Sequence, residues 1–557
     1  MTLLLFSCND KFLDTKPIAT SDESAFFATM ESADLATTTC YSNFSMEKLW
    51  DLSIVMTMGS IASDEAECGA GGKNDVVEFQ AIDQLRQNAN TPNVFDQTYG
   101  YLYRSINYCN VVLEKLPEIP ASAKGYNAEI ISERMGEAYF LRAFNYFYLT
   151  MMYGGVPLVD HQLAPSEYYQ PRADISDIYT LMKSDLRSAM QRLPERSEWG
   201  TSDIGRASKG AAEALMAKLY LYESSYAKYY PSDPDNRFVG LSQHWDSVVY
   251  WAEKVIGSGE YELIGSNGER YDSWRDPANG VGGYTWIFQV GANNSKEEVF
   301  SIQSRMDGLG WFYSRGTPLD RWAAPRGINA PDGSVTEAVP GWGWWCPSDY
   351  MVDAFSQETG NPADDPRYKA TVMEDTDSLL YWTGSAAVWV TPNYSVLQAA
   401  TGVHRSQRKY EASPDEYWAI ATSWKEGPTN VKMIRYADVI LWNAEAYFEM
   451  GNNAKALENI NLVRTRARMS GNTGFPKDLT GTLTHDDIVH ERMIELGLEG
   501  HRYFDLIRWN LGSKYLNHEL SDGDKITFQP GREFYPLPAA EVQLSKGKLK
   551  QYPHSGY

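Results

Sequence analysis

Apolar residues recur at three- and four-residue intervals through most of the first half of the chain, the period of amphipathic helices. Phe95–Leu116 sets Tyr99, Leu102, Tyr103, Ile106, Tyr108, Val112 and Leu113 near one broad face, and Pro117 and Pro120 stop it. A second helix is predicted over Ser132–Tyr153, with Met135, Ala138, Leu141, Phe144, Phe147 and Tyr148, ended by Gly154-Gly155 and Pro157. The same period predicts helices over Ile175–Leu193, Ala207–Tyr226, Trp245–Ile256, Arg435–Met450, Ala454–Arg468 and His485–Trp509.

These helices fall in pairs. The clearest pair is Tyr436–Arg468, where Ala444, Tyr447, Gly451 and Ala456 occupy the small, aromatic, turn and small positions of a tetratricopeptide unit. Small residues let two antiparallel helices approach closely, and Gly451-Asn452 supplies the tight turn. Ala214–Ile256, with Ala217, Tyr220 and Ala252, reads as a degraded copy, and Phe95–Leu116 with Ser132–Tyr153 as another. The expected fold is mostly α: an irregular tetratricopeptide-like helical scaffold.

Between Gly257 and Asn430 the pattern changes. This stretch is rich in Gly, Pro, Asp and Trp, with short strand-like pieces at Tyr284–Val290 and Val299–Gln303. A long loop-rich insertion in a rigid scaffold is where binding function concentrates. Four regions follow: 1–8, 9–256, the insertion 257–430, and 431–557.

The insertion also carries the most suggestive chemistry. Trp274, Trp286, Trp311, Phe312, Tyr313, Trp322, Trp342, Trp344 and Trp345 are concentrated in glycine-rich sequence. A sugar ring has an apolar C–H face on which indole or phenol can stack, while nearby Asp, Asn, Arg and Gln bond its hydroxyls. Consecutive Trp residues in Gly341-Trp342-Gly343-Trp344-Trp345 cannot all enter one core, so some are expected to face ligand. Trp274, Trp311, Tyr313, Trp322, Trp342, Trp344 and Trp345 are the binding candidates, and strand-like Trp286 is expected in the core.

Composition narrows the class further. A net charge of −23 repels phosphate backbones, which argues against a nucleic-acid partner. No P-loop, dinucleotide fingerprint or G-x-S-x-G elbow occurs, and no cofactor is expected. Cys40, Cys68, Cys109 and Cys346 lack metal or redox spacing and read as buried free thiols. The opening MTLLLFSC, followed by polar Asn9-Asp10-Lys11, reads as the tail of a secretory signal ending in a lipobox, with Cys8 as lipid carrier.

Several segments, taken in order, resemble the SusD/RagB family of outer-membrane nutrient-binding lipoproteins. They are Asp10–Thr29 (DKFLDTKPIATSDESAFFAT), Glu137–Val159 (EAYFLRAFNYFYLTMMYGGVPLV), Glu298–Gln303 (EVFSIQ), the landmarks within Pro347–Thr371, Glu491–Asn510 (ERMIELGLEGHRYFDLIRWN) and Tyr535–Tyr557. The chain departs from the family at bulky Phe6 and at His554-Ser555 near the end. The resemblance implies a lipid-anchored protein on the outer face of the outer membrane. Such a protein captures a glycan or oligosaccharide and hands it to a SusC-like TonB-dependent transporter without breaking a bond. It also implies a ligand site formed by an early loop together with the insertion. Here that loop is about Gly59–Asn93, which adds Asp64 and Glu65 as candidates but contains no Trp.

Two other chemistries can be weighed. Glu495 and Glu499 on a continuous His485–Trp509 helix would share a face, and paired carboxylates can hydrolyse glycosides. The same helix offers Glu499–Arg502 and Asp505–Arg508 ion-pair spacing and a large apolar face, so a packed, salt-bridged helix is the expectation. Acidic loops at Asp64, Glu65 and Glu67 and at Asp364, Asp365 and Asp375 could ligate calcium, but solvated loops are the simpler reading and no metal is expected. The remaining alternative is a tetratricopeptide scaffold that binds peptides through aromatic anchors.

Overall fold

The structure, a computed structural model, describes residues 26–45, 49–69, 71–91, 95–307, 309, 315–325, 341–382, 387–390, 402–414, 416 and 426–557. The helices come first: α1 (Met30–Ser45), a π-wound turn at Leu49–Ile61, α2 (Val77–Asp83), α3 (Phe95–Lys115), α4 (Ala128–Tyr153), α5 (Ile175–Met190), α6 (Lys209–Tyr229) and α7 (Trp245–Gly257). After the insertion come α8 (Tyr436–Glu449), α9 (Asn453–Met469), α10 (His485–Leu496) and α11 (Arg502–Arg508). The chain is mostly helical, as the period predicts.

From α3 to α9 each long helix packs on the next in chain order, with the insertion entering between α7 and α8. Caps set the boundaries. Asn127 accepts the Glu129 and Ile130 amides at the start of α4, and Ser208 accepts the Ala211 amide at the start of α6. In the α8–α9 pair Ala444 and Ala456 are fully buried at the approach the sequence anticipates. Tyr447 donates its hydroxyl to Glu253 of α7, which fastens this pair to the preceding one. The four described cysteines are buried and free.

Strands are few and short. β1 (Ala66–Cys68) pairs antiparallel with β3 (Trp345–Pro347), and β2 (Glu298–Ile302) with β4 (Val431–Arg435). The second ladder closes the insertion where it returns to the scaffold. The first clamps the insertion onto the early part of the chain.

Three expectations are corrected. The Val299–Gln303 strand forms, but Tyr284–Val290 does not; Gly283–Trp286 is a helical turn. Tyr284, Ile287 and Phe288 stand at i, i+3 and i+4, so one turn buries all three together. Trp286 is only partly buried, stacked on Tyr271 at 4.4 Å.

The single helix read over His485–Trp509 is broken. Leu498 and Gly500 adopt left-handed backbone at φ 60° and 80°. The break lies against the π-wound segment, where a Cβ on Gly59 would stand 2.2 Å from the Gly500 carbonyl oxygen. Close backbone approach of two distant segments thus overrides local helical preference.

Finally, Gly59–Asn93 is not a solvated loop. It holds β1 and α2, and the apolar run before it is buried through Trp50, Ile54, Met56 and Met58. The partner of β1 lies in the insertion, so no local periodicity announces it.

Candidate functional site

The early segment and the insertion meet at an aromatic cluster. Residues 321–324 and 341–344 run side by side: the Trp342 amide donates to the Arg321 carbonyl (3.0 Å), Gly343 to Ala324 (3.0 Å) and Trp344 to Trp322 (2.8 Å). Gly69 seals the far side, donating to the Trp344 carbonyl at 3.2 Å. A Cβ there would fall 1.7 Å from the Gly343 carbonyl oxygen, so glycine is required.

This ladder orients four rings. Trp322 and Trp342 lie edge to face with centroids 4.9 Å apart. Trp344 stands 5.7 Å from Trp322, and Phe79 of α2 closes the group at 5.7 Å from Trp322 and 5.6 Å from Trp344. Trp322 and Trp342 are only partly buried and form its open side. Among the described residues the buried Trp322 Nε1–H has no acceptor. Arg321 lies 6.0 Å from the Trp342 ring centre. Beside it the Asp320 carboxyl is buried, and that burial pushes its pKa well up.

The other sequence candidates separate. Trp344 is 2% exposed and Trp345 0%, so both are core rather than ligand face. Trp345 belongs to β3, and its Nε1 donates to Ser60 Oγ at 2.8 Å. Trp342 stays partly exposed, in line with the expectation that these tryptophans cannot all enter one core. Trp344 and Trp345 both enter it because the chain here is extended and alternate side chains reach different parts of one continuous core. Trp274 is partly buried with Arg275 against its ring at 5.3 Å, apart from the four-ring cluster. Trp311, Tyr313 and Cys8 lie outside the described residues.

Asp64 and Glu65 are corrected as well. Asp64 is buried in a two-point ion pair with Arg502, at 2.7 and 2.8 Å. Glu65 is buried beside Ser60, and burial pushes its carboxyl up to about 8, partly offset by the Ser60 hydrogen bond and the Arg502 charge. Glu67 accepts the Ser521 amide and hydroxyl at 3.0 and 2.9 Å. These acids tie the early segment to the C-terminal region; they are not a solvated loop. Among the described residues no three His, Cys, Asp or Glu side chains converge as a metal site requires.

The carboxylates that suggested hydrolysis are committed elsewhere. Glu499 pairs with Arg435 (2.6 Å) and Lys409 (2.6 Å), not with Arg502. Glu495 meets Arg435 at 3.2 Å and Arg367 at 3.1 Å, and also pairs with Arg466. The Asp505–Arg508 pair forms as its spacing predicts, at 2.8 Å. Burial opposes ionisation of Glu499, but the Arg435 and Lys409 charges outweigh it and hold its pKa down to about 2. Glu491 is held at about 2 in the same way by Arg367 and Arg464. At neutral pH Glu491 and Glu499 are therefore ionised, ion-paired and buried, the opposite of a general acid.

Sequence reasoning missed Phe79, whose role depends on α2 meeting residues 322 and 344. It also missed Trp389, 51% exposed on the hairpin formed by Leu379–Trp382 and Ala387–Val390. The apolar run Ala387–Val390 was the available signal, and nothing local marks its tryptophan as outward.

Residues 313–557 match the family model described as the SusD family, and residues 11–221 match one described as starch-binding, associating with the outer membrane. A SusD-like protein of Bacteroides ovatus is 23% identical over 594 aligned positions, covering 100% of this chain and 94% of that one. The starch-binding protein SusD of Bacteroides thetaiotaomicron is 23% identical over 446 positions, 75% and 72% of the two chains. Among solved structures, a SusD-like protein from Bacteroides fragilis superposes with a TM-score of 0.73 at 22% identity, over 96% of this chain and 99% of that one. Surface glycan-binding protein A from Bacteroides thetaiotaomicron, solved with laminarihexaose, gives 0.70 at 20% identity, over 94% and 99%. At such identities the structural likeness establishes the fold. With both ends of the chain matched in order and the helical scaffold shared, this protein belongs to the SusD family.

Proposed function

We propose that this chain is a cell-surface capture protein that binds a glycan against Trp322 and Trp342. It delivers the glycan to a SusC-like TonB-dependent transporter in the outer membrane while tethered by lipid on Cys8. The observation that carries the reading is the partly open Trp322–Trp342 pair, held by a backbone ladder, with a Trp322 indole N–H that has no acceptor among the described residues. An apolar ring face with an adjacent donor is what a pyranose presents a need for. Relatives named for starch binding and for a laminarihexaose complex support a glycan over a peptide. Capture without catalysis accords with the burial and ion pairing of the Glu491, Glu495 and Glu499 carboxylates.

Affinity electrophoresis of the purified chain in gels holding different polysaccharides, with each gel assayed for released sugar, tests this reading. Retardation without sugar release is expected. Release of sugar would overturn it in favour of a hydrolase, and retardation unchanged by removing both Trp322 and Trp342 would move the site elsewhere.

A further inference from the structure

A second cavity lies on the scaffold, built from residues that take no part in the four-ring cluster. It has a volume of about 420 Å³ and opens between the 196–208 turn that precedes α6 and the 293–303 segment containing β2. Its size falls in the roughly 300–1,000 Å³ range of small-ligand pockets.

The lining combines one indole with hydrogen-bonding groups. Trp199 is held in place by its Nε1–H donating to the Ala207 carbonyl at 3.1 Å, with Arg134 at 5.8 Å from the ring. Ile204 stands exposed at the rim. Asn294 donates through Nδ2 to Gln303 Oε1 at 3.1 Å, and among the described residues its side-chain oxygen Oδ1 accepts no hydrogen bond. Arg196 bonds the Asn294 and Ser295 carbonyls through Nη2 alone. Ser301 is only 5% exposed, yet among the described residues its Oγ has no partner. Buried hydroxyls in folded proteins are ordinarily satisfied, so an orphan hydroxyl on a cavity wall marks a place for a polar ligand atom. A purely apolar occupant would leave it stranded at an unfavourable free energy.

We infer that this cavity is a second saccharide-binding site, which takes one or two sugar units of a neutral oligosaccharide against Trp199, with hydroxyls bonded by Ser301, Asn294 and Arg196. The inference rests on the glycan reading above and adds a site to it. Two separated sites on one chain would hold a long polysaccharide at two points, raising its effective local concentration.

Isothermal titration with hexaoses of α-1,4-glucose, β-1,3-glucose, β-1,4-xylose and β-1,4-mannose tests it, on the full protein and on variants of matched melting temperature. At least one hexaose should bind the W322A/W342A double variant, and adding Trp199→Ala or Asn294→Ala should weaken that residual binding at least tenfold. Asn294→Ala decides the matter if the Trp199 variant does not fold. Binding abolished outright by W322A/W342A would overturn the second site and leave the first standing. Residual binding untouched by both added changes would overturn it too. If Trp199→Ala removes all binding while W322A/W342A removes none, the second site holds and the first reading fails. No hexaose bound by the parent protein would reject both.

Discussion

Asp64 and Arg502 stand 438 positions apart and meet in a buried two-point ion pair at 2.7 and 2.8 Å. The contact joins the turn before β1 to α11, just beyond the break where Gly500 packs on the π-wound segment. Breaking a buried pair from one side leaves an uncompensated charge, a cost of about 3–5 kcal/mol. Asp64→Ala should therefore lower the melting temperature markedly in a thermal scan, whereas the D64A/R502M double change should recover much of the loss. Equal destabilisation in both variants would show that the charge left behind is not the cause.

The Trp residues of one short segment should behave in opposite ways. Trp345 is fully buried, and its removal should cost about 3–5 kcal/mol of stability. Trp342→Ala, at a partly buried ring, should lower melting less than the Trp345 change while weakening polysaccharide retardation at least tenfold, about 1.4 kcal/mol of binding. Calorimetry and affinity gels on the two variants would reveal any reversal of these roles.

Two buried glutamates should shift stability in opposite pH windows. Glu65, with its carboxyl near 8, keeps its proton in the folded chain between roughly pH 4.3 and 8, while the unfolded chain releases it. Its contribution is complete below about pH 4.3 and is lost as pH rises toward 8, at up to about 1.4 kcal/mol per pH unit. Glu65→Gln mimics the protonated form, so the melting temperature of this variant should rise relative to the parent between pH 5 and pH 8. A constant difference would contradict burial as the cause. Glu499, held near 2, contributes above about pH 4.3 and loses that contribution as pH falls toward 2.

Membrane attachment has its own test. If Cys8 carries lipid, Cys8→Ala expressed behind a complete lipoprotein signal should move the protein from the membrane fraction to the soluble one. Retention on the membrane would require another anchor; among the described residues no helix is long and apolar enough to cross a bilayer.

Much of this fold was legible residue by residue, because helices advertise themselves through local spacing. The run from Tyr99 to Val112, the Gly154-Gly155 exit and the Ala444–Ala456 pairing each depend on residues a few positions apart, and each appears in the structure where the pattern puts it. Local spacing also misled. Tyr284, Ile287 and Phe288 fit two periods, and only their joint packing with Ile264, beside the close approach of Gly282 and Gly283 to the Ser470 and Ile264 backbone, chose the helical turn.

The sequence by itself determined the helical scaffold, the place of the insertion and the acidic, aromatic-rich chemistry, since these follow from composition and short-range periodicity. Only the tertiary structure decided which aromatic rings face outward and which acids are spent on ion pairs. Trp342 and Trp345 are chemically alike and three positions apart, yet one is partly exposed while the other is fully buried in β3 beside β1. Asp64 has the look of a ligand-facing acid until Arg502 arrives from the other end of the chain. Exposure and charge pairing are set by long-range contacts, and short-range pattern carries no record of them.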